Sequence, residues 1–479
     1  MNELCDLGAA DARRLIGARE ISPVELLDSC LGRISAVNPA VNALVTLCEE
    51  RAWAEAQAAE RAVLAGDELG LLHGLPIGIK DLQETADVRT TFGSPIFADN
   101  VPLRDERLVA AIRQAGGIVL GKTNTPEFGA GANTVNPVFG ATRNPFDTRL
   151  TCGGSSGGSA VALATGMLPL CTGSDTGGSL RVPAAFCGVV GYRPSPGLIP
   201  SERRPLGWTP ITVQGPMARS TEDVRLLLRA MTSADSRDPL AGRASQWSTS
   251  GEDEADLSRL RIALSDDLGG APLDVPIRET FHARVQSLAS VVRSCDWTSL
   301  DLSSADRAFA VTRAQNFLAA YGEHYERRRD QLGRYVVANY EEGLAMTAAD
   351  VAQAHVAATR LYRTLEALFE EVDLLISPTV GVAPFPIEQG YAQRVGGRDL
   401  PTYYAWLAPT YYLSLTGQPC LALPCGLAPG GTPLSLQLCA RAGADRFLLA
   451  AAQALERHLA RDPGTARPAP DLDRLRTPA

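Results

Sequence analysis

Two turns rich in glycine and serine, Thr151-Cys152-Gly153-Gly154-Ser155-Ser156-Gly157-Gly158-Ser159 and Gly173-Ser174-Asp175-Thr176-Gly177-Gly178-Ser179, bracket a short run of small residues from Ala160 to Thr165. That run reads as a helix, and Leu168-Pro169-Leu170-Cys171-Thr172, just before the second turn, reads as a strand. A turn, helix, strand and turn in this order belong to an α/β architecture. Upstream, Pro76-Ile77-Gly78-Ile79-Lys80 is a short apolar strand closed by a lysine. A helix from Asp105 stops at Gly116-Gly117 and leads into the strand Ile118-Val119-Leu120-Gly121. Downstream, the apolar stretch Val182 to Val190, then Leu374 to Pro378, Cys420 to Pro424 and Leu434 to Leu438 extend the same pattern, and an amphipathic helix covers 444–460. The first 66 residues read as helices, one opened by the capping box Ser22-Pro23-Val24-Glu25 and one ending at Gly66. Residues 275–295 and 303–372 also read as helical. Gly129 to Gly158 reads as a long surface loop, and Ser233 to Asp256 as a solvated loop with an acidic centre at Gly251-Glu-Asp-Glu-Ala-Asp.

The 479 residues carry 45 basic and 54 acidic side chains, a net charge of −9, which argues against a general polyanion or nucleic-acid binder. With 45% hydrophobic residues and a mean hydropathy near zero, the chain has the composition of a globular protein with a large core. Its ten cysteines form no C-x-x-C pair and no zinc spacing, so they read as buried thiols without disulfides. No signal-peptide pattern opens the chain and no apolar run is long enough to span a membrane, so a cytoplasmic protein is expected. Only two of the 45 basic residues are lysines, Lys80 and Lys122. Arginine keeps its proton near neutral pH whereas a desolvated lysine can lose it, so both positions are candidates for chemistry.

Gly153-Gly154-Ser155-Ser156-Gly157 fits G-x-S-x-G, the nucleophile elbow of α/β-hydrolase esterases. The residues before it make a poor buried strand, and the histidines (His73, His282, His324, His355, His458) do not supply the expected downstream partner. Asp175-Thr176-Gly177 lacks the second carboxylate of an aspartic protease, neither turn carries a phosphate-binding G-K-[ST], and no metal-ligand pattern occurs. A serine hydrolase that uses lysine in place of histidine remains. A buried neutral lysine can accept a serine proton. Consecutive backbone N–H groups in the turn from Asp175 to Ser179 can face an oxyanion. Structural turns are the competing reading of the same glycines.

Gly74-Leu-Pro-Ile-Gly-Ile-Lys80-Asp, the Gly153 to Ser159 turn, and Asp175-Thr-Gly-Gly-Ser179-Leu-Arg181-Val-Pro-Ala-Ala-Phe-Cys-Gly188 together resemble the amidase signature family. Gly215 to Arg219, Ser377-Pro378-Thr379 and Leu434 to Leu438 extend the resemblance over most of the chain. It implies a single large α/β/α domain, residues 1–479, around a central mixed multi-stranded sheet. Within it are a helical segment 1–66, a signature core 67–230, a mostly helical insertion 231–372, and strands and helix completing the core over 373–465. It also implies the roles. Ser179 is the acyl-enzyme nucleophile, Ser155, 24 residues earlier, is the relay serine on a cis peptide, and Lys80 is the neutral base. The backbone N–H groups of Thr176, Gly177, Gly178 and Ser179 form the oxyanion hole, and Asp175 and Arg181 brace the turns. Lys122 is structural.

The expected activity is hydrolysis of carbon–nitrogen bonds in a small amide, aryl acylamide or carbamate, without metal or cofactor, by a monomer or homodimer. The alternatives are the glutaminase subunit of a tRNA-dependent amidotransferase, the G-x-S-x-G esterase, and an inactive scaffold. Glutaminase subunits resemble one another in a Gln where this chain has Val182, and the intact Lys80, Ser155 and Ser179 disfavour a scaffold. The aromatic stretch Tyr403 to Tyr412 is a candidate wall for apolar substrates through Tyr403, Trp406 and Tyr411, with a core helix as the competing reading.

Overall fold

The computed structural model describes residues 3–233, 235–241 and 255–476. Most of the acidic centre at Gly251 lies outside the described residues. Eleven strands form one sheet, in spatial order Leu44–Leu47, Ile118–Thr123, Pro76–Lys80, Leu170–Asp175, Val213–Ala218, Val190–Arg193, Cys420–Leu427, Pro433–Cys439, Leu374–Pro378, Arg261–Leu264 and Ser294–Trp297. Pro76–Lys80 runs parallel to both its neighbours, and Arg261–Leu264 to both of its own. The remaining pairs are antiparallel, so the sheet is mixed.

Pro76–Lys80, Ile118–Thr123, Leu374–Pro378 and Pro433–Cys439 are buried along their length, as expected of a sheet covered on both faces. Side chains alternate between two cores: Leu374 and Ile376 enter one with Leu436 and Leu438, whereas Leu375 enters the other with Phe186, Phe309 and Trp406. The helix Gly157–Ala164 has no exposed residue, which its small side chains permit. A Cβ on Gly158 would lie 2.2 Å from the Asn124 nitrogen and 2.7 Å from the Ala43 carbonyl oxygen. Glycine there lets the start of the helix press directly onto the strand ends.

The structure departs from the sequence expectations in several places. Leu44–Leu47, within the expected helical segment, forms an edge strand. The apolar stretch Val182 to Val190, given no element from the sequence, divides in two: Arg181–Cys187 is a helix closed by left-handed Gly188, and a strand begins at Val190. The expected helix over 275–295 ends at Val285, and the short, half-exposed Ser294–Trp297 strand adds to the sheet edge. Ser294-Cys-Asp-Trp297 alternates polar and apolar side chains, but over only four residues, the shortest run that carries a strand signal. Within the Gly129 to Gly158 stretch, residues 130–134 and 151–158 are buried, and between them the chain runs along the surface. Its polar backbone is satisfied by its own side chains: Asn144 donates to the Thr151 and Phe186 carbonyls, and Thr134 to that of Gly153. All ten cysteines are free thiols, and all but Cys48 and Cys295 are buried. Among the described residues, no helix is long and apolar enough to cross a membrane.

Candidate active site

Lys80 ends the strand Pro76–Lys80, and Ser174 and Asp175 end the parallel strand beside it. Both side chains therefore arrive at the carboxyl edge of the sheet, where open α/β sheets place their sites. The helix Gly157–Ala164 points its first turn at the same edge, and Ser155 and Ser156 immediately precede it. Lys80 is fully buried, and its Nζ lies 2.7 Å from Ser155 Oγ, 2.8 Å from Ser156 Oγ and 2.9 Å from Ser174 Oγ. Lys80 forms no ion pair with any described residue. Burial brings its pKa down from 10.5 to about 7, against a smaller upward pull from Asp175.

Three hydroxyls suit the amine in either state. The ammonium donates to all three, and the neutral amine donates to two and offers its lone pair to the third. The three hydroxyls are not equivalent. Ser156 donates onward to the Ser174 carbonyl at 3.4 Å, whereas Ser155 and Ser174 face the cavity that Ser179 also lines. The Gly154–Ser155 peptide is cis. The Ser156 N–H donates to the Ser179 carbonyl at 3.2 Å, which ties the two turns together.

Asp175 holds the second turn in shape. Its carboxylate accepts from the Gly178 N–H at 2.9 Å and the Leu180 N–H at 3.2 Å, and pairs with Arg181 at 3.0 Å and Arg193 at 3.1 Å. Burial alone would raise its pKa, but the two guanidinium groups overcome that and hold the carboxyl well below the usual range. Arg181 uses all five N–H groups: on both Asp175 oxygens, the Thr410 carbonyl, Gln437 Oε1 at 2.6 Å and Ser414 Oγ at 2.7 Å. Thr410 Oγ1 also donates to the Gly177 carbonyl at 2.7 Å. Gly178 has φ +120°, and a Cβ on it would meet Thr410 Oγ1 at 2.1 Å, so no other residue fits. The Gly178 N–H is thereby committed to Asp175, which sets it apart from the other expected oxyanion donors, Thr176, Gly177 and Ser179. Their N–H groups have no acceptor among the described residues.

The cavity above Ser179 has a volume of about 380 Å³. One end is aromatic, with Phe92, Phe97, Phe128, Phe317, Tyr321 and Tyr403, and the other is polar, with Gln83, Glu106, Thr212 and Gln214. Of the aromatic candidates, Tyr403 lines the cavity and Trp406 and Tyr411 do not. Trp406 stacks on Phe186 at 5.9 Å, and Tyr411 lies flat on Phe309 at 4.2 Å with its hydroxyl on Asp306 at 2.5 Å. Both are core residues.

Sequence reasoning missed Ser156 and Ser174 as Lys80 partners. Ser174 is traceable through period-two alternation from Thr172, whose hydroxyl accepts the Lys80 N–H at 3.0 Å. It also missed Arg313 and His324, which reach the cavity from the distant helix Ala305–Arg328. Lys122 stands outside the cavity and donates to the Gln83 carbonyl and, at 2.8 Å, to Thr85 Oγ1. The G-x-S-x-G elbow does not form: Asp147–Thr151 pairs with Arg143–Asn144 and bridges from Leu150 to Pro386, outside the main sheet. No histidine among the described residues hydrogen-bonds Ser155 or Ser179. Among the described residues no group of three His, Cys, Asp or Glu side chains is placed to hold a metal ion.

A family model described as Amidase matches residues 25–449. The chain is 32% identical over 459 residues to an acylamidase of Rhodococcus erythropolis, covering 94% of this chain and 95% of that one. It is 34% identical to a glutamyl-tRNA(Gln) amidotransferase subunit from a Roseiflexus species, covering 95% and 97%. Among solved structures, a bacterial aryl acylamidase of the amidase signature enzymes superposes with a TM-score of 0.85 at 25% identity, covering 94% and 96%. With its eleven-stranded mixed sheet and its buried lysine among serines, the chain belongs to the amidase signature family, whose members hydrolyse carbon–nitrogen bonds.

Proposed function

We propose that the protein hydrolyses aryl or alkyl amides through an acyl-enzyme on Ser179. The observation that carries this reading is the buried Lys80 amine, held by hydroxyls and by no carboxylate. Ser179 Oγ attacks the amide carbonyl carbon, its proton passes to Ser155 Oγ, and the Ser155 proton passes to the Lys80 lone pair. The carbonyl oxygen takes up the negative charge and accepts hydrogen bonds from the free N–H groups of the turn, a contribution worth on the order of a hundredfold in rate per donor. The C–N bond then breaks as the proton returns from Lys80 through Ser155 to the departing amine nitrogen. Water repeats the sequence at the ester carbonyl, releasing the acid and restoring the Ser179 hydroxyl.

The aromatic end of the cavity supports aryl-bearing substrates, and carbamates present the same carbonyl to the nucleophile. The test is covalent labelling by a serine-directed fluorophosphonate together with turnover of a chromogenic anilide. Ser179→Ala is expected to lose both, and labelling that persists on another serine overturns the assignment. The amidotransferase relatives favour a second reading, glutaminase action within such a complex. Ammonia release from glutamine only with added partner proteins, without anilide turnover, would establish it.

A further inference from the structure

The cavity is lined by three arginines, and they are not equivalent. Arg203 is paired with Glu84, and Arg204 with Asp238 at 2.5 Å. Arg313 is 7% exposed and forms no ion pair with any described residue. Its Nε donates to Asn339 Oδ1 at 2.7 Å and its Nη2 to the Tyr403 hydroxyl. The rings of Tyr404, Phe317 and Tyr403 lie 5.1, 5.2 and 5.3 Å from its guanidinium carbon. Ring faces stabilise a cation without neutralising it. The nearby carboxylate Glu342 accepts from the Tyr404 hydroxyl at 3.2 Å and does not reach the guanidinium.

Two of the five guanidinium N–H groups are therefore used, and both N–H groups of Nη1 and one of Nη2 are left over. Nη1 is not sealed from solvent, and the residue lines the cavity. Those remaining donors form one side of the fork that matches a carboxylate. Arg313 stands one helical turn beyond Phe309, whose ring abuts the Ser179 turn: a Cβ on Gly177 would meet Phe309 Cζ at 2.6 Å. A turn advances about 5.4 Å along the helix, so Arg313 is one step along it from Phe309, and it lines the same cavity as Ser179.

We propose that the substrates are amides bearing a carboxylate, and that Arg313 holds that carboxylate at the aromatic end of the cavity. This rests on the amidase reading of the same cavity and names its substrate class. A desolvated cation lacking a counter-charge is expensive to keep, and an anionic substrate group supplies that charge only while it is bound.

The test pairs 4-acetamidobenzoate with its methyl ester for a carboxylate on the amine side, and N-succinylaniline with butyranilide for one on the acyl side. One pair is expected to show kcat/KM at least tenfold higher for the acid, mainly through KM. Arg313→Gln is expected to reduce that preference by about ten- to a hundredfold, the range for a hydrogen bond to a charged group, and Arg313→Lys to restore part of it. Wild-type enzyme that prefers the uncharged member of both pairs, or an Arg313→Gln variant that keeps the preference, overturns the proposal. Should wild type hydrolyse none of the four, the amidase reading fails on its own. Titration calorimetry with 4-acetamidobenzoate and N-succinylaniline then decides the carboxylate site: binding of either acid that Arg313→Gln abolishes supports it, and no binding, or equal binding by both proteins, refutes it.

Discussion

Replacing Lys80 by methionine keeps an unbranched side chain, one atom shorter, and removes its titration. The lysine ionises near 10.5 in the unfolded chain and near 7 in the folded one, because it is fully buried. Between those values the unfolded chain binds a proton that the folded chain does not, so wild-type stability grows as pH rises through this window. The penalty is fully present below about pH 7. At about 1.4 kcal/mol per unit, lowering the pH from about 10 to about 7 costs wild type about 4 kcal/mol through this one group. Lys80→Met has no such cost. The variant also strands three hydroxyls, but that offset is the same at every pH and cancels from the slope. Urea unfolding followed by circular dichroism at several pH values is the assay. The stability difference, variant minus wild type, is expected to climb by about 4 kcal/mol as the pH falls across the window and then level off. A flat difference would refute the reasoning, since it would mean that the native amine carries its proton throughout and finds a counter-charge.

In the proposed mechanism the same group governs turnover. With Lys80 titrating near 7, kcat/KM on an uncharged anilide is expected to fall about tenfold per pH unit below that value and to plateau above it, a limb that stopped-assay pH profiles measure directly. Arg181→Lys replaces five directed N–H groups by a compact ammonium that cannot span Asp175, Thr410, Ser414 and Gln437. We expect a loss of about 3–5 kcal/mol in urea unfolding together with loss of anilide turnover, because one partner of a buried pair is disrupted.

The residues legible in the sequence are those whose role depends on local spacing. Lys80 stands out because lysine is so scarce here, and Ser155 and Ser179 because glycines flank them at fixed positions. What could not be read is set by side-chain direction and by distant packing. The alternation that turns Ser174 toward Lys80 holds only once Leu170–Asp175 is known to continue as strand into the glycine-rich turn. The commitment of the Gly178 N–H to Asp175 follows from a left-handed backbone that the motif permits without dictating. Arg313 looks like any helical arginine until its helix is packed against Tyr403 and Tyr404, some ninety residues further on. The stretch Gly129 to Gly158 has the composition of exposed loop, and its asparagine and threonine side chains are what allow its two ends to be buried.

The guanidinium of Arg181 joins the Ser179 turn to acceptors more than two hundred residues away, at Thr410, Ser414 and Gln437. A nascent chain synthesised only as far as the helical region has every residue of the proposed relay and none of these anchors. Competence should thus arrive late in translation, once the strand Pro433–Cys439 has left the ribosome and closed the circuit. An unfinished copy would leave cellular amides untouched, and breaking the chain anywhere between the turn and that strand offers a way to make activity conditional on rejoining the two halves.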